Sequence, residues 1–262
     1  MGICNGYMRL TVAYLKDIQD RYESNFQQRM VRNLPKRSDT MLHEKSLDAD
    51  AILFDFEGTL VDFQWQLAAA IEETLEMLWE MGFPPERILS RKYSTLLTEA
   101  MQAAPEIGLS PEEVRERIGA IYDRYDADAL TRWALRPFVR DSLAAIKSKG
   151  IRTALVSNLG GKTLAAALSK FRLADYFDIV LSRYDVKNLK PSPEGLHCAL
   201  AKLGVSLDAC IFVGDSLDDV NAAKKAGIRV MIITAGENAT EDILAAQPDY
   251  VIQSYKELLL LL

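Results

Sequence analysis

The sequence has few of the residues that build disulfide frameworks, zinc sites or histidine-based catalytic sites. Its three cysteines, Cys4, Cys198 and Cys210, are too few and too scattered for a disulfide framework or a zinc knuckle. The two histidines, His43 and His197, are isolated and form neither a metal cluster nor a triad. We therefore expect neither cysteine-based nor histidine-based chemistry, and a reducing compartment fits this composition.

Excess positive charge and long apolar runs are also lacking. The formal net charge is −6 without a long basic run, so we expect neither a nucleic-acid partner nor an anionic membrane surface. No stretch approaches the ~18 consecutive apolar residues of a membrane span. The start of the chain lacks the basic and then apolar layout of a signal peptide. We expect a cytoplasmic protein that is a monomer or a homodimer.

Short apolar runs of strand length alternate with helical patterns over most of the chain. The first run, Ala51–Phe54, ends in an acid and a glycine turn, as strands do at the ligand-binding edge of an open α/β sheet. Later runs occur at residues 153–156, 178–181, 210–213, 230–233 and 250–252. This alternation predicts an α/β protein whose core is a Rossmann-like, doubly wound parallel sheet.

About 80 residues of nearly pure helical pattern separate the first strand from the second. One of these helices has a clear start, because Ser110 and Glu113 are spaced as a capping box. The segment is therefore predicted as an inserted α-helical cap domain. The predicted division is a core of residues 49–62 and 142–262, a cap of residues 63–141, and an N-terminal extension of residues 1–48 with one helix and a linker.

Side chains suited to phosphoryl chemistry follow four of the predicted strands. Asp55 follows the first strand, Ser157 follows the second, and Lys190 lies in the loop after the third. Asp215 and Asp219 follow the fourth. Each alone has a simpler explanation, such as a helix cap, a solvated lysine or an acid at a helix start. Because parallel strands end at one edge of a sheet, we expect these five side chains to meet.

Three of these side chains are carboxylates, so the site is expected to bind a cation. Two carboxylates about 4 Å apart repel by ~4 kcal/mol at an effective dielectric constant near 20. Asp55, Asp215 and Asp219 therefore favour Mg²⁺, a hard ion that prefers oxygen ligands. Lys190 and Ser157 supply a positive charge and a hydroxyl donor, which suit the outer oxygens of a phosphoryl group.

At these positions the chain resembles the haloacid dehalogenase superfamily, over about residues 49–262 and including a small helical cap. The resemblance implies a Mg²⁺-dependent phosphatase in which Asp55 is the nucleophile that forms an aspartyl-phosphate. Glu57 is implied as the general acid and base. Ser157, Asn158 and Lys190 are implied to bind the phosphoryl group. The implied metal ligands are Asp55, the backbone carbonyl of Glu57, and Asp215, with Asp219 supporting the metal from nearby.

One position departs from the pattern of that superfamily. Its phosphatases and mutases usually carry Asp two residues after the nucleophile, where this chain has Glu57. The extra methylene moves the carboxyl by more than about 1 Å, and such a shift can change a rate on the order of 10²-fold. Three interpretations of this change stay open, namely a slower phosphatase, a pocket built around a different leaving group, and a partly disabled site. The alternatives are therefore a phosphomutase of the same superfamily and a catalytically weakened binding protein.

The substrate is constrained mainly by the cap. A small cap that closes over the site favours a small phosphorylated metabolite, because closure excludes water and bulky groups. Phosphoglycolate-type phosphatases are the nearest resemblance. Trp65 lies just after the first strand exit, where a cap residue could face the substrate. The basic residues that could clamp a substrate carboxylate are Arg91, Lys92, Arg132 and Arg136.

Overall fold

The computed structural model describes residues 47–262. The predicted N-terminal helix and linker lie outside the described residues, except for Leu47 and Asp48, and so do Cys4 and His43. Every helix within residues 47–262 is too short or too polar to cross a membrane.

Six parallel strands form one sheet in the order β3-β2-β1-β4-β5-β6. They are β1 (Ala51–Phe54), β2 (Arg152–Val156), β3 (Ile179–Leu181), β4 (Cys210–Gly214), β5 (Arg229–Ile233) and β6 (Tyr250–Ile252). The two central strands are β1 and β4, and the strand order reverses between them. Open α/β sheets bind their ligands at the carboxyl ends of the strands beside such a reversal.

Helices cover both faces of the sheet. One face carries α4 (Val139–Ser148), α5 (Gly161–Phe171) and α9 (Tyr255–Leu261), and the other carries α6 (Glu194–Leu203), α7 (Leu217–Ala226) and α8 (Thr240–Ala245). Side chains of β1 alternate between the faces, with Ile52 and Phe54 on the first and Ala51 and Leu53 on the second. All four are fully buried. The predicted doubly wound α/β fold is confirmed.

Three helices lie between β1 and α4 and share an apolar core of their own. They are α1 (Leu67–Glu80), α2 (Tyr93–Ala103) and α3 (Pro111–Arg132). The Ser110 hydroxyl accepts a hydrogen bond from the Glu113 N–H at 3.0 Å, as the capping pattern predicted. Between α1 and α2 the chain forms only the short 3₁₀ turn Pro85–Arg87, and helix α2 begins at Tyr93. The boundaries of the cap stay a prediction.

Candidate active site

The five predicted residues meet at the carboxyl edge of the sheet. Asp55 and Asp215 directly follow the neighbouring strands β1 and β4, whereas Asp219 lies in the first turn of α7. Lys190 reaches them from the loop between β3 and α6, and all four side chains are buried. We call Asp55, Asp215, Asp219 and Lys190 the carboxylate floor.

Lys190 lies between two members of the floor. Its Nζ donates to Asp55 Oδ1 at 2.6 Å and to Asp219 Oδ1 at 2.7 Å. The Asn158 side chain fixes the lysine backbone, because its Oδ1 accepts from Lys190 N at 3.1 Å and its Nδ2 donates to Lys190 O at 3.2 Å. Burial alone would lower the pKa of Lys190, but Asp219 and Asp55 outweigh this effect and raise it. The lysine is therefore a permanent positive charge beside Asp55.

Asp219 is held by the start of its own helix. Its Oδ2 accepts from Asp215 N at 3.1 Å, Ser216 N at 3.0 Å and Ser216 Oγ at 2.7 Å. Ser216 and Asp219 form a capping box, so the helix start fixes this carboxylate. Because Asp219 Oδ1 already accepts from Lys190, both of its oxygens have partners within the protein. This arrangement suits a supporting role better than direct metal binding.

Asp215 accepts one hydrogen bond at each oxygen. Thr59 Oγ1 donates to Oδ1 at 2.9 Å, and Glu237 N donates to Oδ2 at 2.7 Å. Gly58 has a φ of +74°, and a Cβ at this position would lie 2.2 Å from Asp215 Oδ2. Only glycine therefore allows the turn after Asp55 to pass so close to the second carboxylate.

The floor has the charge and the donor atoms that a magnesium ion requires. Oxygen atoms of Asp55, Asp215 and Asp219 all lie within 4.8 Å of one another. Three carboxylates and one ammonium group leave a formal charge of −2, which a divalent cation would balance. Burial raises the pKa of Asp55 to about 6, against the influence of Lys190, and burial together with Asp219 raises the pKa of Asp215 well above its usual value. The residues present fit a hard divalent cation.

Glu57 has two hydrogen-bond donors that hold its longer side chain in place. Trp133 Nε1 donates to Glu57 Oε1 at 2.7 Å, and Gln64 N donates to the same oxygen at 3.1 Å. Trp133 is buried at the end of α3 and packs edge-on against Phe56, with ring centroids 5.3 Å apart. Burial raises the pKa of Glu57 to about 8, although both hydrogen bonds oppose the shift. No sequence signal identified Trp133, since a tryptophan at a helix end usually indicates packing.

A cavity of about 160 Å³ lies between the floor and the helices inserted after β1. Ser157, which follows β2, lines the cavity with a buried hydroxyl whose oxygen accepts from Leu159 N at 3.3 Å. Trp65, Tyr93 and Tyr122 line the opposite part of the cavity, and we call them the aromatic wall. The rings of Tyr93 and Tyr122 stack with centroids 3.5 Å apart, and Trp65 lies 5.0 Å from Tyr122.

Comparison with known proteins places the chain in a family. The sequence model of the haloacid dehalogenase-like hydrolases matches residues 52–233, which is more than half of the chain. The chain belongs to this family.

Similar members are known from sequence and from structure. A phosphoglycolate phosphatase from Shigella boydii serotype 4 is 32% identical over 231 residues, covering 81% of this chain and 92% of that protein. A predicted phosphoglycolate phosphatase from Haemophilus somnus is similar in structure, with a TM-score of 0.57, 25% identity, and coverage of 81% of this chain and 97% of that one. A candidate β-phosphoglucomutase from Thermotoga maritima has a TM-score of 0.53, 25% identity, and coverage of 80% and 97%. The predicted family is confirmed, and the predicted enzyme class, a phosphoric monoester hydrolase, agrees with these curated relatives.

In this haloacid dehalogenase-like hydrolase, a buried ion pair joins α3 to the loop after β3. The Arg183 guanidinium donates to Asp126, to Asp123 at 3.1 Å and to Tyr93 Oη at 3.1 Å. Asp126 also accepts from Trp65 Nε1 at 2.9 Å. Arg183 and Asp126 line the cavity and are almost fully buried. The sequence pattern did not identify either residue. Arg183 follows β3 and Asp126 belongs to α3, and neither element carries a recognisable motif.

The basic residues considered for a carboxylate clamp are mostly engaged elsewhere. Arg132 donates to Gln64 O at 3.0 Å, and Arg136 donates to Thr234 O at 2.8 Å. Neither these two arginines nor Arg91 lines the cavity. Lys92, which is exposed, does line it.

Proposed function

We propose that the protein is a Mg²⁺-dependent phosphatase that hydrolyses a small phosphate monoester through an aspartyl-phosphate on Asp55. The observation that carries this proposal is the carboxylate floor. A buried carboxylate lies 2.6 Å from a lysine ammonium, and two further carboxylates lie close enough to share a cation. A nucleophile, a charge partner for a phosphoryl group and a metal site thus occupy one edge of the sheet.

The reaction has two steps. In the first, an Asp55 oxygen bonds to phosphorus while the bond from phosphorus to the leaving oxygen breaks, and Glu57 gives that oxygen its proton. In the second, a water oxygen bonds to phosphorus, the bond to Asp55 breaks, and Glu57 takes the proton of the water. Inorganic phosphate leaves, and both side chains return to their starting states.

The remaining residues bind and orient the groups that react. The Ser157 hydroxyl and the side-chain amide of Asn158 offer hydrogen bonds to the phosphoryl oxygens, while Lys190 offsets the negative charge of those oxygens. The candidate metal ligands are the carboxylates of Asp55 and Asp215 with the backbone carbonyl of Glu57, and Asp219 fixes the lysine. When bound, Mg²⁺ supplies positive charge that offsets the developing charge on the phosphoryl oxygens.

The surroundings of Glu57 favour a rebuilt site over a disabled one. Trp133 and Gln64 both donate to its carboxyl and fix the longer side chain in place. Its pKa, raised to about 8 by burial, keeps the carboxyl protonated near neutral pH. The group is therefore ready to protonate a leaving oxygen in the first step.

A phosphomutase is the second candidate within the same chemistry. The similarity in structure to a candidate β-phosphoglucomutase keeps this possibility open. A mutase would move the phosphoryl group between two positions of a substrate and release little inorganic phosphate. The cytoplasmic location and the state as a monomer or homodimer stay predictions.

The test is phosphate release from a panel of small phosphate esters with Mg²⁺ and with a chelator, for the wild type and Asp55→Asn. We expect release that requires the metal and that Asp55→Asn abolishes. Rapid quenching followed by intact mass spectrometry should detect one added phosphoryl group in the wild type alone. Transfer of label between sugar positions without release would establish the mutase instead. Binding of esters without either reaction would contradict both and leave a binding protein.

A further inference from the structure

We infer that the part of the cavity facing the leaving group binds an uncharged, hydroxylated ring, so that the substrate is a sugar monophosphate rather than a phosphorylated carboxylic acid. This inference rests on the proposed function, since it concerns the leaving group of the same reaction. It depends on three independent properties of the cavity, which are its flat wall, its balance of charge and its hydrogen-bonding groups.

The aromatic wall gives the leaving group a flat surface. Trp65 and Tyr93 are partly buried and line the cavity, and both pack on the fully buried ring of Tyr122, whose centroid lies 5.0 Å from that of Trp65 and 3.5 Å from that of Tyr93. Trp65 Nε1 is bonded to Asp126 and Tyr93 Oη to Arg183, so both rings are fixed in orientation. A rigid aromatic face favours the C–H face of a ring over a short flexible acid such as glycolate.

The balance of charge in this part of the cavity opposes a second anion. Among residues 47–262, the carboxyl groups outside the floor that line the cavity are Glu57, which is protonated near neutral pH, and Asp126, Asp218 and Glu237, whereas the only cations outside the floor are Lys92 and Arg183. The guanidinium of Arg183 is already bonded to two aspartates, Asp126 and Asp123, so its charge is more than compensated. Lys92 is exposed, and it acts electrostatically on Asp218. A substrate carboxylate would therefore find no buried, uncompensated cation in this part of the cavity. The other cation there, Lys92, is exposed to solvent.

Polar groups beside the wall match hydroxyl groups. Asp218 and Glu237 line the cavity next to the floor, and a carboxyl group accepts from a hydroxyl when ionised and donates to one when protonated. Asn238 adds an amide whose Oδ1 already accepts from Leu217 N at 2.8 Å, which leaves its N–H donors for a ligand. A ring with several hydroxyls can use the two carboxyl groups and this amide.

The first experiment compares kcat/KM of the wild type for four substrates. They are glucose 6-phosphate, a 5′-nucleotide, 2-phosphoglycolate and acetyl phosphate, the last as a small acyl phosphate that serves as the reference. We expect at least one ester with a hydroxylated ring to exceed 2-phosphoglycolate by about tenfold or more, because a site built for hydroxyls rejects analogues that lack them.

Matched variants separate the aromatic face from the hydrogen bond of Trp65. Trp65→Phe and Trp65→Leu both lose the bond to Asp126, but only Trp65→Phe keeps a ring. We expect Trp65→Leu to raise KM for the preferred ring ester about tenfold more than Trp65→Phe does, with both changing KM for acetyl phosphate equally. Trp79→Leu is the control, because Trp79 is 45% exposed and lies outside this cavity.

The outcomes distinguish this inference from the proposed function. A preference of about tenfold or more for 2-phosphoglycolate over every ring ester would overturn the inference while the phosphatase stands. No release from the three esters or from acetyl phosphate would overturn the proposed function. In that case the dissociation constants of glucose 6-phosphate and 2-phosphoglycolate for the wild type decide the inference. Tighter binding of the sugar phosphate supports it, and tighter binding of 2-phosphoglycolate overturns it.

Discussion

The carboxylate floor and the aromatic wall face each other across one cavity but are built in different ways. The floor comes from loops at the ends of parallel strands, and its side chains are bonded mainly to one another or to nearby backbone. The wall comes from the helical insertion and is held by a cluster around Arg183 and Asp126. The positions of the floor side chains are therefore set by the topology of the sheet. The positions of the wall side chains depend on how the inserted helices pack.

Replacing Asp55, the proposed nucleophile, should abolish the chemistry of the floor and leave the aromatic wall intact. We expect Asp55→Asn to lower kcat by on the order of 10⁴-fold or more, because no other group can form the acyl-phosphate. Phosphate release measures the loss, and binding of the preferred ester should be kept. The exposed Asp208→Asn is the matched control and should retain wild-type rates. Residual turnover above about one tenth would mean that Asp55 is not the nucleophile.

Breaking the buried ion pair should destabilise the wall. We expect Arg183→Met to lower the free energy of unfolding by about 3–5 kcal/mol, because Asp126 would be left buried and partly uncompensated. The double variant Arg183→Met with Asp126→Leu should recover much of this loss. Urea unfolding followed by circular dichroism measures both. Equal stability of the single and double variants would show that Asp126 without its partner carries no penalty.

Substitutions of Glu57 and of Trp133 test the hydrogen bond that links the edge of the sheet to the inserted helices. We expect Glu57→Asp to lower kcat on the order of 10²-fold, because a shorter side chain withdraws from both Trp133 and Gln64. Trp133→Phe should lower kcat less, about tenfold, and shift the pH profile, since one hydrogen bond to a carboxyl is lost. Rates measured from pH 5 to 9 check both effects. A faster Glu57→Asp would mean that the glutamate only weakens an aspartate site.

The smallest expected effect is the change of the free energy of unfolding with pH when no metal is bound. The folded protein holds protons on Glu57 and Asp55 more tightly than the unfolded chain, since burial raises both pKa values. The free energy of unfolding should therefore fall as the pH rises through the interval from the usual pKa of Glu57, 4.5, to about 8.

Magnesium should oppose this loss of stability. At about 100 times its dissociation constant, the ion should add about 2.7 kcal/mol to the free energy of unfolding. Melting curves with Mg²⁺ and with chelator, at several pH values, measure the difference. Asp215→Asn should abolish the response to Mg²⁺, and an unchanged response would place the metal elsewhere.

The floor could be predicted because its residues follow strands. A buried strand ends where its apolar run ends, so Asp55, Ser157 and Asp215 could be placed at the same edge without knowing any helix orientation. Lys190 could be placed with them because its loop follows a parallel strand. The distances between these groups, and the pairing of Lys190 with both Asp55 and Asp219, required the structure.

The wall could not be predicted to the same extent because helix rotation decides which side chains face the cavity. Trp65 was anticipated from its position near the strand exit, whereas Tyr93, Tyr122 and Arg183 were not. Four basic residues were considered for the substrate, and only Lys92 lines the cavity. Helix α8 was also missed, because six residues are too few for a periodic pattern.

The hydrogen bond between Trp133 and Glu57 spans 76 positions of sequence, so the proposed proton donor precedes the inserted helices and the residue that holds it lies at the end of the last of them. Exchanging the cap between relatives would therefore carry the acidity of the catalytic carboxyl along with the choice of substrate. A chimaera that inherits a new specificity should inherit a new pH optimum in the same step, unless position 133 is transplanted back.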